Sequence, residues 1–284
     1  MDMRLAGKIR ERLDAEVANK KVLIAAHRGS SGGDIMENSP FSNAAAIRQK
    51  ADMIEIDIAS DLDGNFYTVH DGMELRLFGV AKNITAMTKA EVDELIFKNT
   101  NAVPGCKVTK LDDMLEDLKS RKCLVNVDRS WRYWDRLFPV MARHDMADQL
   151  LFKSPQDLTA LKHLAAADLP YMFMPIMYSP LELDIFKEYD INIVAIEIIF
   201  DSEASAMVED KFFERLKQEK IYRWGNAIAL GGKFNLSAWH DDNHAIMECP
   251  DAHWGYLVRK GFEIIQTDWP MLLEEYLRQS GVRK

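Results

Sequence analysis

Cysteine is scarce. The 284-residue chain carries three, Cys106, Cys123 and Cys249. An odd count without Cys-x-x-Cys spacing argues against a disulfide framework, so a reducing, cytoplasmic setting is the expectation. Positive charge is also in deficit: 36 Lys and Arg stand against 45 Asp and Glu, a net charge of -9. That excludes broad nucleic-acid binding, which leans on cations against the phosphate backbone. A small phosphate-bearing molecule is not excluded, because a metal ion or a few local cations can hold one. No apolar run is long enough for a transmembrane segment. The N-terminal stretch lacks the basic and apolar regions of a signal peptide. Neither GxGxxG nor GxxxxGK[ST] occurs, which removes the common glycine-rich phosphate loops. No linker-like or low-complexity segment divides the chain, and nothing in it fixes an oligomeric state.

What is present is ordinary for a globular protein, with 48% hydrophobic and 29% charged residues, and a substantial core can be buried at this length. Leu5, Ile9, Leu13 and Val17 recur at steps of four and predict an amphipathic helix over residues 1–20 that packs on whatever follows. Strand-like runs then begin at residues 21, 53, 123, 149, 171, 193, 221 and 263, with helical patterns between them. Strand–helix alternation implies a parallel sheet. Eight units in one domain fit a (β/α)8 TIM barrel of the α/β class better than an open doubly wound sheet. Residues 21–284 are read as this single domain, with residues 64–108 as an excursion between the second and third barrel strands. Inside the excursion, Asp63-Gly64 signals a hairpin turn and Thr88 with Glu91 a capping box. Ser39 precedes Pro40 as a helix N-cap. Ser154-Pro155 is read as the cap of the helix that runs to about Ala166. Residues 228–252 read as irregular.

The chemistry-bearing residues cluster at strand ends. The first run, Ile24-Ala25-Ala26, stops at His27 and Arg28. Histidine titrates near neutral pH and arginine offers a planar fork for phosphate; the alternative is a strand-end histidine satisfied by backbone. Glu55 and Asp57 lie two apart on the second strand and face the same way, into the barrel, while Ile54, Ile56 and Ile58 face the helices. Two buried carboxylates repel each other, and a divalent cation removes that cost; hard oxygen donors favour Mg2+ or Ca2+. Salt bridges to Arg28 or Lys153 are the alternative. Asn126 and Asp128 share a face on the next strand, which makes Asp128 a third oxygen ligand. His70 and Asp71 end the return strand of the hairpin. Lys153, at the end of the fourth strand, is positioned to neutralise a phosphate oxygen, or else to snorkel at the surface. Trp224 and Trp239 are candidates for an apolar pocket wall, whereas Trp254 reads as core. His240, His244 and His253 sit in an Asp-rich stretch read as a solvated loop, without a third ligand spaced to close a zinc site.

The order His27-Arg28-Gly29, Glu37-Asn38-Ser39, Glu55-Ile56-Asp57 and His70-Asp71 resembles the glycerophosphodiester phosphodiesterase family. The likeness continues through Thr109-Lys110-Leu111, Asn126-Val127-Asp128 and Gln266-Thr267-Asp268-Trp269-Pro270, so it covers about Val22 to Pro270. The resemblance implies a barrel with a small insertion, a divalent cation held by Glu55, Asp57 and Asp128, and an acid/base pair formed by His27 and His70. It implies that Arg28 contacts phosphate. Asn38, like Trp224, is a candidate for the pocket. The implied substrate is a small glycerol phosphodiester, cleaved to glycerol 3-phosphate and an alcohol. The chain departs from the family in three places. Asp128 stands where Glu is usual, Ser130 stands where Lys is frequent, and the stretch from Gly231 to Pro250 is longer. Lys153, Arg129 or Arg132 is a candidate for the missing cation. Two other readings share these residues: a sphingomyelinase D-like phospholipase that ends at a cyclic phosphate, and a silent barrel that binds a phosphorylated ligand.

Overall fold

The computed structural model describes residues 1–98, 106–232 and 234–284. Eight parallel strands close into a barrel: Leu23–Ala26, Met53–Ser60, Leu124–Asp128, Leu150–Ser154, Met172–Met177, Ala195–Ile198, Tyr222–Asn226 and Ile264–Thr267. The first strand pairs with both the second and the last, which completes the circle. This is the (β/α)8 barrel that the strand count predicts, and each strand begins within two residues of its expected start.

Alternation along each strand divides the side chains into two sets. Ile24, Ile54, Ile56, Ile58, Val125, Val127, Phe152 and Phe173 point outward and pack with the helices. The inward set changes character along the barrel axis. At the N-terminal end it is apolar, with Leu23, Ala25, Met53, Leu124, Leu151, Met172, Ala195 and Ile264 in one cluster. Ile9, Leu13 and Val17 of the helix Met3–Lys20 belong to the same cluster, so this helix plugs the bottom of the barrel. Asp2 caps it by accepting from the Arg4 and Leu5 backbone N–H groups.

At the C-terminal end the interior turns polar. Glu55, Asp57, Asn126, Lys153, Glu197, Asn226 and Gln266 are all buried there. Register sets their neighbours: Glu55 lies beside Asn126, and Asp57 beside Asp128. Active sites of this fold lie at the C-terminal ends of the strands.

The excursion builds a small annex. Phe66–Thr68 pairs antiparallel with the end of the second strand and with Thr109–Lys110. Two short helices, Glu74–Phe78 and Lys89–Asp93, help enclose a separate apolar cluster around Tyr67, Leu77 and Ile84. Thr88 and Glu91 form the expected capping box. Residues 99–105 of the expected excursion, and residue 233 of the 231–250 stretch, lie outside the described residues.

Two local expectations are corrected. The helix after the fourth strand starts at Leu158, because the Asp157 side chain accepts from the Thr159 and Ala160 N–H groups. Ser154 instead ends the strand. The stretch read as irregular contains the helix Asp242–Met247, capped by Asp241, and the next helix begins at Pro250, three residues before the expected His253. Among the described residues no helix is long and apolar enough to cross a membrane.

Candidate active site

The site is built on the turn that follows the first strand. The chain enters the left-handed region at Arg28 (φ 57°) and Gly29 (φ 76°), which folds it back on itself. A Cβ at residue 29 would lie 2.8 Å from the Ser42 backbone carbon, so only glycine fits. Gly29→Ala is therefore expected to cost roughly 2–4 kcal/mol in thermal unfolding. It should also lower kcat/KM, since Arg28 is moved; unchanged values of both would show that the turn tolerates a side chain.

This turn aims Arg28 at three acids. Its backbone N–H donates to Glu55 Oε2 at 2.8 Å. Its guanidinium pairs with Asp57 Oδ2 at 2.9 Å and donates to Glu37 Oε1 at 2.9 Å. Asn38, also left-handed at φ 53°, donates to Asp57 Oδ2 at 2.9 Å and accepts from the Asp57 N–H at 3.0 Å. Asn38 is buried and so orients Asp57 instead of bordering an open pocket.

Glu55, Asp57 and Asp128 bring carboxylate oxygens within 4.8 Å of one another. The alternative of internal salt bridges is also realised in part. Asp57 pairs with Arg28, and Asp128 pairs with Lys153 Nζ at 2.8 Å. Glu55 differs: its Oε1 is buried and has no hydrogen-bond partner among the described residues. Burial, followed by the charges of Asp57 and Asp128, pushes its carboxyl up to about 8. Burial works the same way on Asp128, but Lys153 outweighs it and holds that carboxyl below the usual range. An orphaned buried oxygen beside two further carboxylates is a donor set for a hard divalent cation. Among the described residues this is the one such group of metal-capable side chains.

Lys153 does not snorkel. It is buried, bridges Asp128 and Glu197 (Glu197 Oε2 at 3.1 Å), and lies 5.7 Å from the Trp224 ring centre. Burial would discharge it, yet the two carboxylates keep it charged well above the ordinary lysine value. Trp224 is fully enclosed in the barrel, where its indole N–H donates to Asn226 Oδ1 at 2.9 Å. It therefore forms a floor beneath Lys153 and not a pocket wall, because an inward residue at that height has no opening to solvent.

The two histidines differ in what holds the ring. His27 Nδ1 meets Asp268 Oδ1 at 2.8 Å. Burial lowers its pKa, but the Asp268 hydrogen bond and the Glu55 and Asp268 charges outweigh this, so the net shift is upward. His70 Nδ1 meets the Asp71 carbonyl at 2.8 Å. Burial, together with Arg28 and Arg129, lowers its pKa despite the Asp57 charge. Arg129 reaches this place by a left-handed turn (φ 53°) and donates from Nε to Asp71 Oδ1 at 2.7 Å. Arg132 stays exposed.

The model of the glycerophosphoryl diester phosphodiesterase family matches residues 27–166, which include His27, Arg28, Glu55, Asp57, His70, Asp128 and Lys153. Over these residues, just under half of the chain, it is a glycerophosphoryl diester phosphodiesterase family sequence. It is thereby an enzyme of the phosphoric diester hydrolase class. Residues 173–277 match a second family model, described only as a domain of unknown function. No curated protein matches in sequence. Solved structures confirm the fold. A glycerophosphoryl diester phosphodiesterase of Parabacteroides distasonis superposes with a TM-score of 0.72 at 15% identity, covering 91% of this chain and 87% of that one. One from Agrobacterium tumefaciens gives 0.65 at 19%, covering 89% and 99%. A phosphodiesterase of Oleispira antarctica, solved with its product sn-glycerol-3-phosphate, gives 0.66 at 17%, covering 90% and 96%.

Within this family frame, the structure brings together His27, Arg28, Glu55, Asp57, His70, Asp128 and Lys153 from four barrel strands and the hairpin. Glu197 was missed from the sequence; Asp268, Asp71 and Arg129 were noted there, but not the contact of Asp268 with His27 or the pairing of Arg129 with Asp71. Glu197 was readable in principle, as a carboxylate inside an Ile-rich strand. Among the described residues, His240, His244 and His253 are held by protein partners. His240 is buried with its ring stacked 3.8 Å from Tyr256 and its Nε2 on Glu203. His244 lies in the helix turn that Asp241 caps, with its Nδ1 2.9 Å from Asp241 Oδ1.

Proposed function

We propose that this chain hydrolyses glycerophosphodiesters to glycerol 3-phosphate and an alcohol, with His70 as general base and His27 as general acid. The observation that carries the assignment is the unequal support of the two rings. A carboxylate against Nδ1 of His27 stabilises an imidazolium, whose Nε2–H is available to donate. A neutral carbonyl against Nδ1 of His70 fixes the other tautomer, leaving Nε2 as an acceptor. His70 takes a proton from water as its oxygen forms a bond to phosphorus. The P–O bond to the leaving alkoxide breaks, and His27 gives that oxygen its proton. Solvent exchange then restores both rings.

Arg28 and Lys153 are the cations available to the non-bridging oxygens. Glu55, Asp57 and Asp128 would hold Mg2+ or Ca2+, which supplies charge neutralisation on the phosphodiester. The related Oleispira structure, bound to sn-glycerol-3-phosphate, supports the choice of substrate class. The test is 31P NMR of glycerophosphocholine incubated with the protein and Mg2+ or Ca2+. Glycerol 3-phosphate with free choline is the expected result. Accumulated cyclic phosphate, phosphocholine or no turnover would overturn the reading.

A further inference from the structure

We propose that Asp242 is a positioning residue for His27, acting through the backbone of Asp268. Asp242 comes from the 231–250 stretch, the part of the chain that is longest relative to the family resemblance. It is 1% exposed. A buried carboxylate is costly unless donors satisfy it, and here three do. Oδ1 accepts from the Trp254 indole N–H at 2.9 Å and the Thr267 hydroxyl at 2.8 Å; Oδ2 accepts from the Asp268 backbone N–H at 2.8 Å. The helix N-cap is its neighbour Asp241, so Asp242 is not spent on capping.

The two oxygens divide the work. Oδ1 ties the helix Pro250–Lys260, through Trp254, to the end of the last strand. Oδ2 holds the residue whose side chain grips His27. Thr267 adds a second point of attachment, since its hydroxyl also accepts from the Trp269 N–H at 2.9 Å. The Asp268 side chain is 43% exposed, so the backbone held by Asp242 is what sets the place from which its carboxylate reaches His27. Burial pushes the Asp242 carboxyl up to about 7 against the pull of its donors, which is a cost that a purely packing residue would not carry. The charged groups that face His27 are Asp268, Glu55 and Arg28. Of these, the Asp242 contact fixes Asp268.

This inference rests on His27 being the acid of the proposed reaction, so its test includes a readout that needs no activity. Asp242→Asn leaves an oxygen for Trp254 and Thr267 but turns an NH2 toward the Asp268 N–H, donor against donor. The His27 ring would be followed by 15N NMR titration without substrate, alongside Tm, kcat and KM. Asp242→Asn is expected to lower the His27 pKa by about one unit, toward the value in Asp268→Asn. It should also lower kcat about tenfold with KM within about twofold. Trp254→Phe, which touches only Oδ1, should lower Tm and leave the His27 titration in place. If Asp242→Asn does not fold, Thr267→Val, which removes the hydroxyl from both Asp242 and Trp269, is read in the same way. A lowered Tm with an unmoved His27 titration would overturn the proposal and make Asp242 a packing residue. If the wild-type protein lacks phosphodiesterase activity, the titration still decides this point.

Discussion

His27→Asn and His70→Asn are each expected to lower kcat by about 10^2 to 10^4 while leaving the fold intact. They should also erase opposite limbs of the pH profile. In the wild type, kcat/KM should rise with pH as His70 loses its proton, at a value below the ordinary histidine pKa of about 6.5, since burial and two arginines lower it. It should fall again as His27 loses its proton, above about 6.5, since Asp268 and Glu55 together overcome burial. The order matters: with the base titrating below the acid, both rings are in their working forms between the two values. His70→Asn should flatten the acid limb and His27→Asn the alkaline limb. An asparagine at 27 can still donate to Asp268, so the loss would reflect the missing proton donor and not a collapsed turn. Unchanged kcat in either variant, or the same limb lost in both, would sink the assignment.

Much of this architecture is legible in the sequence because a barrel strand is a simple object. Each is a short apolar run bounded by turn chemistry, and eight of them separated by helical patterns leave few alternatives. Period-two alternation also places side chains correctly. Glu55 and Asp57 face inward because Ile54, Ile56 and Ile58 must face the helices, and that is where they are found. Helix ends are less legible. Ser154-Pro155 is a reasonable start signal, but Asp157 three residues later offers a better acceptor to free N–H groups, and the chain uses it.

The site divides along the same line. Residues that act through their own strand position can be read from spacing. Residues that act through contacts between distant loops cannot. Asp268 is an unremarkable aspartate until the last strand is paired with the first, so that His27 N–H donates to the Thr267 carbonyl and the two side chains meet. Asp242 looks like one more acid in an Asp-rich stretch until the helix that carries it docks on Thr267. Lys153 is the converse case: lysine is rarely buried, and only its pairing with both Asp128 and Glu197 makes it an interior cation. Trp224 and Asn38 show a third effect. Both lie at the site, but enclosure by neighbouring strands turns them into supports.

Glu55→Gln is expected to separate the metal from the internal ion pairs of the site. Chelation of the wild type with EDTA should remove nearly all activity, a loss on the order of a thousandfold or more, and added Mg2+ or Ca2+ should restore it. In a thermal-shift measurement the same ion, at a concentration about a hundred times its Kd, should stabilise the folded state by about 2.7 kcal/mol. In a chain of this length that is a rise in Tm on the order of 5 °C. Of the three carboxylates, Glu55 gives the cleanest variant. Replacing Asp57 would leave Arg28 with Glu37 alone, and replacing Asp128 would leave Lys153 with Glu197 alone, so either change would mix loss of the cation with loss of an internal ion pair. Among the described residues no cation pairs with the Glu55 side chain, and its Oε2 accepts from the Arg28 backbone N–H, which the glutamine oxygen can still satisfy. Glu55→Gln should therefore fold with the wild-type Tm in EDTA, lose the rise on adding the ion, and stay inactive at ion concentrations that saturate the wild type. Full activity of the wild type after thorough chelation, or an undiminished thermal shift in the variant, would remove the cation from the three-carboxylate site. The barrel interior would then be balanced by Arg28 and Lys153 alone, with the buried Glu55 oxygen left unexplained.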